Sequence, residues 1–234
     1  MAQKSNRIKK IFLFAGLFGV PAFFICVFAY GANHKFIGAP YYGPKTVVDG
    51  DTVYYKVPPF TFTDHLGAEV TDESLKGKVI LMTTAMESCP QDCPMAINQV
   101  YKFLYQGFKD SKELRDVVLL THLVSTDSTK ANASYVIDDL PFEQGKDINF
   151  DKWKFVYGAD NPIYNVEFAG RGNPYLDFSY DVVGGRASNS LIVLVDAERH
   201  IRGYFPATRN EAISEAEKIT SLVCHEKNRN AKKR

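Results

Sequence analysis

The chain has 234 residues, of which 45% are hydrophobic, 24% charged and 13% aromatic, the make-up of an ordinary globular protein with room for one domain and an appendage. Its 28 Lys and Arg balance 27 Asp and Glu, and a net charge of +1 gives no reason to expect nucleic acid as a partner. Four cysteines are too few for a disulfide-dense scaffold.

The charge is unevenly placed. Lys4, Arg7, Lys9 and Lys10 precede an uncharged run at 11–30 that is rich in Phe, Leu, Ile and Val. About 20 apolar residues in a helix span about 30 Å, the thickness of a bilayer's hydrocarbon core. With the basic flank kept in the cytoplasm, the rest of the chain is expected across the membrane. A cleaved signal peptide is the rival reading, with small residues at Ala29-Tyr30-Gly31, but the apolar run is longer than a signal core. Pro21 kinks such a helix without forbidding it. Cys26 reads as a lipid-facing or helix-packing residue, because Phe23-Phe24-Ile25 lacks the small residues of a lipoprotein cleavage site. The expected segments are a basic cytoplasmic stretch at 1–10, a transmembrane anchor at 11–30, a linker at 31–57, a folded domain at 58–225 and a frayed basic tail at 226–234.

Within the domain, Phe60-Thr61-Phe62 and the turn at 64–67 predict a short strand and hairpin. Residues 79–84 are apolar enough for a buried strand. Cys89-Pro90-Gln91-Asp92-Cys93-Pro94 then opens a helical segment in which Ile97, Val100, Tyr101, Leu104 and Phe108 recur at spacings of three and four. A second buried strand is expected at 116–125 and a weaker helix at 131–140. Residues 190–196 and 201–205 predict a hairpin. Thr208-Arg209-Asn210-Glu211 has the pattern of a capping box opening a last helix, whose apolar face is Ala212, Ile213, Ala216, Ile219, Leu222 and Val223. Strands and helices in this order predict an α/β, thioredoxin-like sandwich, a central mixed sheet flanked by helices, preceded by a single N-terminal transmembrane helix.

Cys89 and Cys93 fall where a buried strand hands over to a helix. Unpaired N–H groups and the positive end of the helix dipole there stabilise a thiolate, which is both the nucleophile and the soft-metal ligand. Four-residue spacing on a first helical turn puts both sulfurs on one face, where they can close a disulfide or chelate a soft ion such as Cu(I). An inert staple is the plainer reading, although so small a loop contributes little closure entropy.

Strand, Cys-Pro-x-x-Cys-Pro and helix together resemble the Sco/SenC family of copper-handling proteins that assist cytochrome c oxidase assembly. The surroundings are similar too. Pro59-Phe60-Thr61-Phe62-Thr63-Asp64-His65-Leu66-Gly67 looks like the family's opening strand and Asp-x-x-Gly turn, and Leu75-Lys76-Gly77-Lys78-Val79 like its approach to the active-site strand. Leu123-Val124-Ser125-Thr126-Asp127-Ser128 resembles its Val-Ser-x-Asp strand end, and Asn189-Ser190, followed by a strand ending at Asp196, looks like its C-terminal hairpin. The resemblance covers about 58–223 and the anchor. In one place the chain departs from it. Where the family carries Asp-His-Ser, whose His completes a Cys, Cys, His copper site, this chain has Ser188-Asn189-Ser190. A carboxamide is a poor Cu(I) ligand, so the resemblance implies weak Cu(I) binding by Cys89 and Cys93.

Other candidates have simpler readings. His200 is expected as a solvated turn residue, His122 as a hydrogen-bonded core histidine and His65 as an exposed turn residue. Met86 and Met95 bracket the cysteines as thioethers or as packing fillers. Cys224-His225 reads as a surface feature at a helix end, and Asp127 as a turn former. Carboxylates at Glu87 and Asp92 oppose the helix dipole at the thiols.

The resemblance implies a membrane-anchored accessory protein for copper-site assembly, acting through Cys89 and Cys93 as thiol–disulfide reductant or weak Cu(I) carrier. Its implied partner is a respiratory oxidase subunit or its assembly factors. Two further readings stay open: a structural or assembly subunit without metal transfer, and a general thiol–disulfide oxidoreductase. The implied location is the inner or cytoplasmic membrane with the domain on the periplasmic side, or the mitochondrial inner membrane in a eukaryote.

Overall fold

The computed structural model describes residues 2–31, 38–86, 92–124, 148–158, 161–164, 166–168, 180–182, 185–187 and 191–232. The chain forms two compact units, Met1–Gly38 and Ala39–Arg234. In the first, α1 (Ala2–Gly31) runs through Pro21 as one helix, and Leu13, Phe14, Leu17, Phe18, Val20, Phe23, Phe24, Ile25 and Val27 are all exposed on it. Among the described residues no helix is long and apolar enough to cross a membrane, so the span expected at 11–30 stays an expectation.

The second unit begins earlier than the sequence implies. The stretch expected as a linker carries a hairpin of β1 (Lys45–Val48) and β2 (Asp51–Tyr54), and Tyr42 and Lys56 bridge to the turn and strand at Ile201 and His200. The remaining strands are β3 (Thr61–Asp64), β4 (Glu69–Thr71), β5 (Val79–Met86), β6 (Val117–Val124), β7 (Trp153–Tyr157), the small hairpin β8 (Tyr180–Val182) and β9 (Gly185–Ala187), and β10 (Leu191–Val195) and β11 (Ile201–Pro206). Seven of them make one mixed sheet in the order β11-β10-β5-β6-β7-β3-β4. In it β5, β6 and β7 are parallel, while β10 and β3 run antiparallel to their neighbours.

Side chains alternate across a strand, so successive β5 residues feed two separate cores. Val79 and Leu81, with Leu119, Trp153, Phe155 and Ile192, pack under the helices; Ile80 and Met82, with Leu120, Val156, Val193 and Tyr164, pack on the opposite face. Each large apolar side chain fully buried this way contributes about 1.5–3 kcal/mol. The helical face is supplied by α2 (Asp92–Gln99), its π-helical continuation Val100–Tyr105 and a last α-turn Gln106–Phe108, and by α3 (Asn210–Ala231). Ile97, Val100, Tyr101, Leu104 and Phe108 are buried there, as their spacing predicts.

Two expectations about α3 are corrected. Arg209, not Thr208, is the N-cap, and it makes no side-chain capping bond. The helix also runs on to Ala231, through the stretch expected to fray, because Glu226 is drawn into a partly buried ion pair. The helix expected at 131–140 lies outside the described residues.

Candidate functional site

The cysteine segment sits at one pole of the sheet. The strand β5 ends at Met86 and α2 begins at Asp92; Cys89 falls between them, outside the described residues. Cys93 and Pro94 are the second and third residues of α2. Cys93 is therefore in the turn whose N–H groups have no intrahelical acceptor, and Pro94 costs that turn no hydrogen bond. Pairing of β5 with β6 ends flush, Met86 opposite Val124. The carboxyl ends of two parallel strands thus meet beside the start of α2, a position where open α/β sheets commonly bind ligands.

β10 enters the sheet at this same pole, since its register places Val193 beside Met82 and Val195 beside Ile80. The segment that leads into β10 contains Asn189, which lies outside the described residues. Buried Tyr164 ties the two strands together: its hydroxyl lies 2.7 Å from the Leu191 carbonyl and 3.1 Å from that of Met82. Burial raises this phenol's pKa, so it stays a neutral donor. Below the pole, the Thr83 and Thr121 hydroxyls lie 2.8 Å apart, and the Trp153 indole N–H donates to Thr121 over 2.8 Å. These bonds lock β5, β6 and β7 in register, which makes the platform under α2 rigid.

Met86 ends β5 and Met95 is the fourth residue of α2, so both methionines belong to elements that frame the site. Glu87 and Asp127 lie outside the described residues. His122 is a core histidine as expected, its Nε2 3.2 Å from the Gly158 carbonyl oxygen and its ring against Phe62.

Three other sequence readings are corrected. His200 is buried, with Nδ1 3.4 Å from Asp196 and its ring edge-on to Tyr41. The N-terminal segment folds over it, which a local reading of the turn cannot anticipate. His65 is half-buried against Phe150 and Phe155. Cys224 faces the core rather than solvent; burial pushes its thiol up to about 11, which makes it inert, while His225 next to it is exposed. None of these joins the cysteine pole, and among the described residues no group of three or more His, Cys, Asp or Glu could hold a metal ion.

The sequence reading missed a buried polar lock at the opposite pole. Arg202 Nη1 donates to Asp196 over 2.9 Å and Nη2 to Glu226 over 2.7 Å. Arg202 also donates to the carbonyls of Pro40 and Ala39, at 3.0 and 2.5 Å, and its guanidinium lies 4.0 Å from the centre of the Tyr41 ring. Glu226 in turn accepts the Ala39 N–H at 2.5 Å. The lock pins the strap 39–42 to the domain. A charged residue inside the apolar alternation of 201–205 is the signal that could have exposed it.

A mixed sheet with parallel β5 and β6, helices over one face, and a Cys-x-x-x-Cys segment at the β5–α2 junction defines a thioredoxin-like domain. Residues 49–136 match the family model of SCO1/SenC, a stretch that contains Cys89 and Cys93, and the resemblance drawn from the motif order is thereby borne out. Among solved structures, BsSco, of the Sco family of cytochrome c oxidase assembly proteins, is 22% identical, with 72% of this chain and 95% of that one covered and a TM-score of 0.48. A SCO1/SenC family lipoprotein from Bacillus anthracis is 15% identical, with 72% and 95% covered and a TM-score of 0.49. Arabidopsis thaliana ScoI, with copper bound, is 18% identical, with 74% and 99% covered and a TM-score of 0.47. No curated protein matches the chain.

Proposed function

We propose that this protein is a Sco-like accessory factor for copper-site assembly in a respiratory oxidase, acting through Cys89 and Cys93 as a thiol–disulfide reductant or weak Cu(I) carrier. The observation that carries the reading is the position of Cys93 in the first turn of α2, beside the flush carboxyl ends of β5 and β6. There the helix dipole and free N–H groups favour a thiolate. Two thiolates suit Cu(I), here a cargo, and Asn189 adds no soft third donor. Purified, reduced full-length protein should bind Cu(I) weakly against a competing chelator, and Cys89→Ser should abolish that binding. Asn189→His should tighten it. No binding by the reduced protein would favour an assembly subunit without metal transfer. Rapid exchange with a generic disulfide, unaffected by copper, would favour a general oxidoreductase.

The membrane anchor belongs to the same proposal. Its support is the basic flank at 4–10 and the apolar side chains exposed along α1. A reporter active only in the cytoplasm should be silent when fused after Arg234. A strong signal would place the domain on the wrong side for disulfide chemistry.

A further inference from the structure

At the pole opposite Cys93, the residues just before three parallel strands carry charge. Lys78 precedes β5, Asp116 precedes β6 and Lys152 precedes β7. From above, α3 adds Lys227. Lys78 Nζ lies 3.2 Å from Asp116 Oδ1, Lys227 pairs with Oδ2 of the same carboxylate, and Lys152 Nζ donates to the Arg115 carbonyl. Two ammonium groups thus pair with one carboxylate while the third is bonded to a neutral carbonyl beside it, which among the described residues of the cluster leaves an excess of two positive charges. All four side chains are partly exposed, so a solvent-borne ion can reach them. Burial and repulsion from Lys78 lower the pKa of Lys152, in keeping with an unbalanced positive field. A monocarboxylate would cancel half of that excess, whereas a dianionic oxyanion cancels it. Ammonium groups bind phosphate as point charges without needing a planar partner. Glu226, next to Lys227, is already held by Arg202 and Ala39 and does not compete.

We propose that Lys78, Lys152 and Lys227 form a binding site for a phosphate-class oxyanion, with Asp116 holding Lys78 and Lys227 together when the site is empty. The oxyanion is either a free phosphate or the phosphomonoester headgroup of a lipid. This inference does not depend on the chemistry of the cysteine pair.

Lysine acetylation rates in the full chain, read by mass spectrometry, test it. Lys76 serves as reference, since it is well exposed and paired with the equally exposed Glu73. In detergent, inorganic phosphate should slow acetylation of Lys152 and Lys227 several-fold relative to Lys76, compared with chloride at equal ionic strength. In nanodiscs without free phosphate, phosphatidic acid, a phosphomonoester, should give the same protection relative to phosphatidylcholine if the source is a headgroup. Protection in either arm supports the site and identifies its source. Lys152→Gln should weaken the protection of Lys227. Asp116→Asn, if its circular dichroism is native, should strengthen it. Equal rates in both arms, or protection that Lys152→Gln leaves unchanged, would overturn the proposal.

Discussion

Arg202 has a side-chain exposure of 3%, yet its charge is fully matched by Asp196 and Glu226, themselves 9% and 12% exposed. Removing one partner of such a pair strands the other's charge in a poor solvent and costs about 3–5 kcal/mol. Arg202→Ala takes the shared cation from both carboxylates and should therefore lower the unfolding free energy by about 3 kcal/mol, as urea denaturation will measure. The acid limb of stability has the same origin. Burial pushes the Asp196 carboxyl up, but hydrogen bonds from His200 and Arg202 outweigh it and hold the group below the usual carboxylate range. The Asp116 carboxyl is likewise lowered, first by its hydrogen bond from Lys227. A depressed carboxylate contributes stability above its unfolded pKa of about 4 and loses that contribution as pH falls through its folded value. Thermal midpoints should thus change little, through these groups, between pH 7 and about 5 and fall steeply below about 4. Cys224 behaves in the opposite sense, since a thiol raised to about 11 keeps its proton while folded. In a Cys26→Ser, Cys89→Ser, Cys93→Ser background, a thiol reagent at pH 8 should label nothing until denaturant is added. Prompt labelling would mean that α3 does not pack Cys224 against the sheet.

At the scale of elements, β11 depends on a missing side chain. A Cβ on Gly203 would lie 2.3 Å from the Phe205 ring, which is buried between the sheet and the helices. Gly203→Ala should destabilise by about 1–3 kcal/mol, because the ring has to leave its place. A calorimetric midpoint close to that of the parent would show that Phe205 has room to move. The elements that sequence alone exposes are those with a strong period or a long apolar run. β5, β6, the β10–β11 hairpin and the buried faces of α2 and α3 all follow from such runs. β7 does not, although it is an interior strand of the sheet, between β6 and β3. Trp153-Lys154-Phe155-Val156-Tyr157 is short, and its burial follows neither a period of 2 nor one of 3.6. β1 and β2 escape for the opposite reason: nearly every residue in them is exposed, so no apolar alternation marks them. The candidate site shows the same division. The local motif at 89–94 gives its place at a strand–helix junction, whereas the burial of His200 and Cys224 comes from segments distant in sequence, for which no local pattern speaks.

At the scale of the whole domain, the sheet has two differently equipped poles. One carries the junction of β5 and α2 with Cys93; the other carries the strap 39–42, the Arg202 lock and the lysines around Asp116. Ending the chain after His225 removes Glu226 and Lys227 together, and so loosens the lock while leaving the first pole intact. Such a protein should keep the redox behaviour of its cysteines but be cut by trypsin within 35–56 much faster than the parent, a difference visible on a gel. Unchanged cleavage would show that Arg202 alone holds the strap. The bond from Ala39 to Glu226 joins residues 187 positions apart. A ribosome adding about 5–20 residues per second needs about 10–40 s to make that stretch. Throughout that interval the strap has been synthesised but its carboxylate has not. Arg202 too arrives late, so during synthesis the segment behind α1 stays untethered, and the domain closes on it only when the last helix leaves the ribosome.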